Sequence, residues 1–529
     1  MKKNIFKTVP MRRPKLNAFD LSHDIKFSFD MGQLVPYTAM KCVPGDIFHI
    51  NVENMLRFAP LVSPVMHRIN VTTHFFFVPN RILWSDWDDW ISGESEVEHP
   101  YIQLPVNGDP GTVLDYLGYP NKATGAMNAD AFPVAAYIRI YNEFYRDQNL
   151  VTKLDGDVLV AGNNPDTFTI AGGSPKLRAW NHDYFTSCLP FAQKGDAALL
   201  PLGTFSDVDV LLDIQSSPNA GMIVRDSAGD PIDYATDGRL SVEASGSQGQ
   251  LSTFEVGTSN YDLSYIDPNS NLVADTSSLE AQAADINTVR RAFRVQEWLE
   301  RDARGGTRYI ENIFSHFGVA SSDKRLQRPE YICGSFQRMT ISEVLSTAET
   351  LTPSDDSVAN PVGQLAGHGI SVGSGKRCKY RCEEHGWIIG IINVQPITAY
   401  QQGLHRTMSQ FTREDYYWPS FANIGEQAVL NKEIYALSAN PDDTFGYIPR
   451  YSEFKYMNSR VAGDFKDTLD FWHLGRIFNS EPTLSSGFIL SSPSKRIFAV
   501  QDTNDSIYAH CFVNVKAIRP MPKFGVPTI

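Results

Sequence analysis

The sequence predicts a mainly β protein, an antiparallel β-sandwich whose connections have swollen into helices and loops. Three observations carry this expectation. Residues 67–78 place Ile69, Val71, Phe75 and Phe77 on one face at the two-residue period of a strand. His385-Gly-Trp-Ile-Ile-Gly-Ile-Ile-Asn-Val394 is apolar on both faces, as a strand in the middle of a covered sheet is. The last long strand, residues 506–518, comes near the end of a 529-residue chain. Early and late strands therefore share one sheet system, which excludes independent beads in series. Strands of ordinary length fill a small part of such a chain, so most of it is insertion.

The elements follow in order. The first fifteen residues hold Lys2, Lys3, Lys7, Arg12, Arg13 and Lys15 with no acid, and Pro10 and Pro14 oppose a helix: an extended basic arm. No apolar stretch of a signal peptide is present there. His23–Phe29 alternates and residues 45–52 suit a second strand, with turn chemistry at Val43-Pro-Gly-Asp46 and Val78-Pro-Asn80. A short helix is expected over 85–91, where Ser85 and Asp88 have capping-box spacing. A longer one is expected over 133–148, with Ile138, Tyr141 and Tyr145 on one face. Residues 155–173, rich in Gly, Asp and Asn, read as a hairpin. Over 285–318 the pattern predicts two helices broken at Gly305-Gly306. Asp285 can cap the first, Ile286, Val289, Phe293 and Leu299 recur near the helical period, and Arg301 and Arg304 precede the stop.

Composition supplies a sizeable core, with 42% hydrophobic residues, 31 Phe and 22 Tyr. A mean hydropathy of -0.25 fits neither disorder nor a membrane protein, and no apolar run is long enough to cross a bilayer. Six cysteines in so long a chain are no disulfide framework, so reduced thiols of a cytosol-made protein are expected. The net charge of -13 is uneven: fourteen Asp or Glu between Phe205 and Asp285 face only Arg225 and Arg239, and no lysine lies between Lys194 and Lys324. So local an excess marks an acidic inserted segment, able to form short hairpins but no core. The expected division is an arm (1–20), a body (21–204 and 286–529) and the insertion (205–285).

Enzyme motifs fail on inspection. Gly369-Ile-Ser-Val-Gly-Ser-Gly-Lys376 has Ile370 and Arg377 where a phosphate loop needs glycine and a hydroxyl residue. Cys378 and Cys382 with His385 offer three metal ligands, but on a strand the cysteines lie ~13 Å apart, and half-buried structural cysteines are the better reading. Asp86, Asp88 and Asp89 invite a glycosidase pair, yet Trp84, Trp87 and Ile91 at helical spacing make them the wet face of a helix start. His182-Asp183 is merely adjacent, and the chain has no His-x-x-x-His pair and no Gly-x-Ser-x-Gly elbow. No catalytic site, metal or cofactor is expected. A carbohydrate-binding or carbohydrate-active β-sandwich is the alternative class, since aromatics and Asp abound.

The most specific segment is Leu299-Glu-Arg-Asp-Ala-Arg-Gly-Gly-Thr-Arg-Tyr309, followed by Ser315-His-Phe-Gly318. It resembles the major capsid protein of microviruses, small icosahedral single-stranded-DNA phages, and most closely the gokushovirus branch. Phe19-Asp-Leu-Ser-His-Asp24, Cys42-Val-Pro-Gly-Asp46, Phe76-Phe-Val-Pro-Asn-Arg-Ile-Leu-Trp84, His182-Asp-Tyr-Phe-Thr-Ser-Cys-Leu-Pro190, Arg325-Leu-Gln-Arg-Pro-Glu-Tyr331 and Tyr417-Trp-Pro419 extend the likeness in order along the chain.

The resemblance implies an eight-stranded antiparallel jelly-roll β-barrel with long helical and loop insertions, in a T=1 shell of sixty copies built through pentamers. It implies packaged circular single-stranded DNA, a small basic internal DNA-binding protein, an internal scaffolding protein during assembly, a pilot protein and a bacterial surface receptor. The virion, assembled in the host cytoplasm, is the implied location. Segment 205–285 falls where such coats carry a threefold protrusion. On this reading the arm cations (Lys2, Lys3, Lys7, Arg12, Arg13, Lys15) meet DNA. Arg301, Arg304, Arg308, Tyr309, Tyr416, Tyr417 and Trp418 are candidate interface residues, and Phe254, Tyr261 and Tyr265 are candidates for host attachment.

Overall fold

The computed structural model describes residues 15–105, 108–120, 122, 127–196, 198, 286–345, 363, 365–501 and 504–524 in full, and within 210–274 and 350–360 the backbone of short strands. Residues Lys2 to Arg13 of the basic arm and the cap Asp285 lie outside the described residues. The chain divides into two compact units, Met1–Gly195 with Leu299–Ile529, and Asp196–Trp298.

In the larger unit two antiparallel sheets use the strands β1 (Asn17–Asp20), β2 (His23–Phe29), β3 (Val35–Cys42), β4 (Ile47–Phe58), β5 (Ile69–Pro79), β6 (Glu330–Arg338), β7 (Thr340–Leu345), β8 (Leu365–Ser374), β9 (Cys378–Arg381), β10 (Gly386–Pro396) and β11 (Ile507–Arg519). The seven-stranded sheet runs β1-β11-β4-β8-β7, with β2 also on β11 and β9 also on β4; the four-stranded sheet runs β6-β5-β10-β3. Alternation fixes the faces. In β4, Phe48, Ile50, Val52, Leu56 and Phe58 point inward, and in β5, Ile69, Val71, Phe75 and Phe77 meet them in one core.

β10 has no wet face. Ile388, Ile392 and Val394 enter the core between the sheets, while Ile389 and Ile391 enter a second core. That second core is made with the helix Phe132–Ile140, in which every residue but Arg139 is buried. The helix passes into a π turn at Tyr141–Tyr145 and so ends short of the expected 148.

The expected eight-stranded jelly-roll barrel is not what forms. The four-stranded sheet ends at β6 and β3, the seven-stranded sheet ends at β7 and at β1 with β2, and no ladder joins these ends among the described residues. The result is a mixed fold of open sheets and helices. β1 and β2 occupy successive stretches of one strand, β11, and β8 and β9 successive stretches of β4, so strands are spent lengthwise and not on closure.

Three local expectations also change. The helix Trp87–Ser92 starts at Asp86 with no side-chain cap, because the Ser85 hydroxyl donates to Asp86 instead; Trp84 and Trp87 are buried, but Ile91 is exposed. The 155–173 hairpin is replaced by the helix Pro165–Ala171, where proline in the first turn suits a helix start. Two cysteines are not reduced: Cys333 and Cys378 form a disulfide, while Cys42, Cys188, Cys382 and Cys511 are buried free thiols.

The smaller unit carries short antiparallel strands. Leu240–Ala244, Leu251–Val256 and Ser259–Asp262 form one sheet, Val224–Arg225 pairs Tyr265–Ile266, and Val210–Leu212 pairs Leu272–Ala274.

Candidate assembly surfaces

The glycine pair behaves as its spacing requires. The helix Ile286–Gly305 stops, Gly306 takes φ +101°, and the helix Tyr309–Phe317 begins after Arg308. Only glycine adopts that φ without strain, and a Cβ there would lie 2.3 Å from Glu311. The Arg308 backbone N–H donates to Glu311 at 3.0 Å and its guanidinium to the same carboxylate at 2.9 Å, and Arg308 also donates to the Arg146 carbonyl. Behind the turn, Asp302 accepts from Asn312 at 2.7 Å and pairs with His316 at 2.8 Å, tying the two helices together.

Arg304 reaches Glu426 through Nε at 2.8 Å, and the Glu426 side chain is 1% exposed. Of the candidate interface cations, Arg304 and Arg308 are therefore engaged within the chain, and Arg301 is exposed. A cleft of about 530 Å³ opens at this turn.

What the second helix leaves uncovered is apolar. Tyr309 is 72% exposed and Phe317 76%, with Phe314 and Val319 also exposed. Around the third core of Tyr184, Phe185, Val429, Ile434 and Phe445, the segment 404–457 does the same: Phe411 is 86% exposed and Met457 81%. Tyr416, Tyr417, Trp418 and Phe454 are exposed too. Tyr417 packs against Tyr451 at 5.0 Å and Phe454 at 6.5 Å between ring centres, so these rings form one surface. The segment is anchored beneath by buried Glu433, which accepts from Tyr184 at 2.8 Å and from Arg406 at 3.2 Å. Burial raises the Glu433 pKa above the ordinary carboxylate range, opposed by the Leu430 N–H and Arg406. The sequence reading named Tyr416–Trp418 and did not name Phe411, Phe454 and Met457, which stand in irregular chain or a single short turn of helix where no period marks a face.

The outward face of the seven-stranded sheet was also missed. Register sets Lys516, His49 and Lys379 side by side across β11, β4 and β9, with Arg381, Arg57 and Lys26 on the same face. His49 holds its proton less firmly than usual, through burial and then the charges of Arg377, Lys379 and Lys516. Asp20, Asp24 and Glu53 share this face, so it is basic on balance and not uniformly. Alternation along β9 and β11 held the signal; the pairing that assembles it did not show. Lys15, the described end of the arm, is exposed. In the smaller unit Phe254 and Tyr261 are register partners, and Tyr265 pairs Arg225.

Among the described residues no group of His, Cys, Asp and Glu is placed to hold a metal ion, and no helix is long and apolar enough to cross a membrane. Broad uncovered apolar surfaces on a well-cored body define a protein built to be covered by other protein, a structural subunit. Comparison with known proteins gives the family. Residues 6–529 match the phage capsid protein (F protein) family, and the chain belongs to it. It is 35% identical to the capsid protein VP1 of Chlamydia phage 1 and to that of Bdellovibrio phage phiMH2K, each over 99% of this chain and 97% of the relative. It is 30% identical to the capsid protein VP1 of Spiroplasma virus 4 over 99% and 96%. The chain is thus a microvirus-type major capsid protein of the gokushovirus branch, a structural protein and not an enzyme.

Proposed function

We propose that the chain assembles through pentamers into a sixty-copy T=1 icosahedral shell around a circular single-stranded DNA genome, in the cytoplasm of a bacterial host. The uncovered apolar surface carries this reading. Phe411 and Met457 at more than four-fifths exposure, with the Tyr417–Phe454 surface and the Tyr309–Phe317 helix, are apolar side chains of the kind that neighbouring subunits cover. Repeated weak contacts closed by symmetry then give a stable container.

Light scattering with negative-stain imaging of the purified protein tests it. Pentamers or uniform small shells are expected. A monomer that persists beside a co-expressed internal scaffolding protein defeats the reading. Phe411→Ser with Met457→Ser removes apolar area without touching a core, so the expected result is a folded chain that no longer assembles; unchanged particles take this surface out of the interface. Charge reversal of the exposed Arg301, with the Arg304–Glu426 pair left in place, tests its helix in the same way.

A second reading rests on the basic sheet face. Lys26, Arg57, Lys379, Arg381 and Lys516, with the arm cations Lys2, Lys3, Lys7, Arg12, Arg13 and Lys15, are suited to phosphates of the packaged strand. A small basic internal protein supplies the remaining charge. Lys379→Gln with Lys516→Gln lowers the salt dependence of DNA retention by about 0.7 units of log–log slope per contact, the value for a single strand. An unchanged slope removes the face from DNA binding.

The insertion 205–285 forms a threefold protrusion on this reading, and Phe254, Tyr261 and Tyr265 meet a bacterial surface receptor, with a pilot protein completing entry. Trimming the insertion abolishes adsorption to host cells; intact adsorption assigns the segment another role.

A further inference from the structure

The six cysteines sort into two sets. Cys42, Cys188, Cys382 and Cys511 are buried, and burial pushes the thiols of Cys42, Cys188 and Cys511 up, leaving almost no thiolate at neutral pH. Cys333 and Cys378 are half-buried and bonded to each other, with Cα atoms 6.3 Å apart.

That bond crosses from sheet to sheet. Cys378 stands in β9 opposite Ile50 of β4, and Cys333 in β6 opposite Phe75 of β5. Ile50 and Phe75 both face the core between the sheets, so the two sulfurs meet across it. β6 ends the four-stranded sheet, and no ladder joins the sheets among the described residues, so the bond ties the sandwich at an open margin. It encloses β7 and β8 in a loop with a sequence separation of 45.

Among the six, only Cys333 and Cys378 combine partial exposure with a partner within bonding reach.

We propose that Cys333–Cys378 is an oxidative latch, open as two thiols in the reducing cytoplasm and closed when the coat meets oxidising surroundings. The timing rests on the reading that the coat is made in a bacterial cytoplasm; the thiol chemistry does not depend on assembly. The oxidant is a small disulfide such as oxidised glutathione. The Cys378 thiolate attacks one of its sulfurs, giving a mixed disulfide and releasing one small thiolate. Cys333 loses its proton to water and attacks the Cys378 sulfur, expelling the second small thiolate. Two electrons pass from the two protein thiols to the small disulfide, which leaves as two thiols once protonated.

Full-length protein expressed in bacterial cytosol is alkylated in denaturant at lysis, and a second portion is first treated with oxidised glutathione. Mass spectrometry then counts thiols. Six alkylated cysteines are expected before oxidation and four after it, with a non-reduced peptide joining residues 333 and 378. A bond already closed in the cell, six thiols after oxidation, or a link through Cys42 or Cys382 overturns the proposal.

Discussion

Asp183 shows at the scale of one residue what burial demands of a charge. Its carboxylate is 4% exposed. One oxygen accepts from the Phe185 and Thr186 N–H groups at 2.9 and 2.7 Å, the other from Thr398 at 2.5 Å and Tyr400 at 2.7 Å. Four donors repay the lost water and bind the chain near residue 183 to that near residue 400. Adjacent His182 is exposed, so the pair was never a catalytic couple, as adjacency on an extended chain implies. Asp183→Asn keeps the shape but turns an amide N–H₂ toward two hydroxyl donors. The expected cost is about 2 kcal/mol in urea unfolding, at an unchanged denaturant slope. A cost below about 0.5 kcal/mol sinks the account of Asp183 as a buried anchor.

At the scale of elements, the turn between the two helices makes a graded prediction. Gly318 and Gly306 both take positive φ, +68° and +101°. A Cβ at 318 meets nothing within 4 Å, whereas one at 306 meets Glu311 and displaces the carboxylate that holds Arg308. Gly318→Ala therefore costs about 1 kcal/mol, the backbone term alone, and Gly306→Ala about 2–3 kcal/mol. Equal losses in chemical denaturation refute the capping role of Glu311.

This turn was legible in the sequence because its signals are local: apolar residues at helical spacing, then a glycine pair. β5 and β10 were legible for the same reason, since a strand prints its two faces at period two. Sheet closure was not. It depends on pairings such as His23 with Val513, and on β1 and β2 sharing β11, which no window of the chain contains. The Cys333–Cys378 bond was hidden likewise, by two registers in two sheets. The helix Pro165–Ala171 was missed because the Gly, Asp and Asn on its flanks outweighed seven residues with little apolar period.

At the scale of the whole molecule, half-buried histidines set the response to acid. His67 sits under the chain crossing out of β10, its Nε2 2.6 Å from the Ile397 carbonyl. His74 lies in β5, its Nδ1 2.7 Å from the Tyr145 hydroxyl and its ring among Phe76, Tyr145 and Tyr331. Burial lowers the pKa of each from 6.5 to about 4, and neighbouring arginines act in the same sense. The unfolded chain therefore binds more protons than the folded one between those values. Stability is complete above about pH 6.5 and falls as the pH drops toward 4, by at most about 3 kcal/mol for each ring. Carboxylates of ordinary pKa titrate near the bottom of that window, so the upper part, from pH 6.5 to 5, reports chiefly the histidines. His67→Gln keeps an N–H donor for the Ile397 carbonyl and removes the titration. Its thermal midpoint should change less than that of the parent between pH 6.5 and 5, although the two agree more closely at pH 8. Parallel curves for the two proteins mean that His67 is already protonated in the fold, or that acid acts elsewhere. His74 stands in the middle of β5 and His67 just ahead of its first residue, and β5 lines both cores, so protonation that loosens this strand loosens both at once. The expected acid transition is then a single cooperative one, with both aromatic environments changing at the same pH in near-ultraviolet circular dichroism and fluorescence.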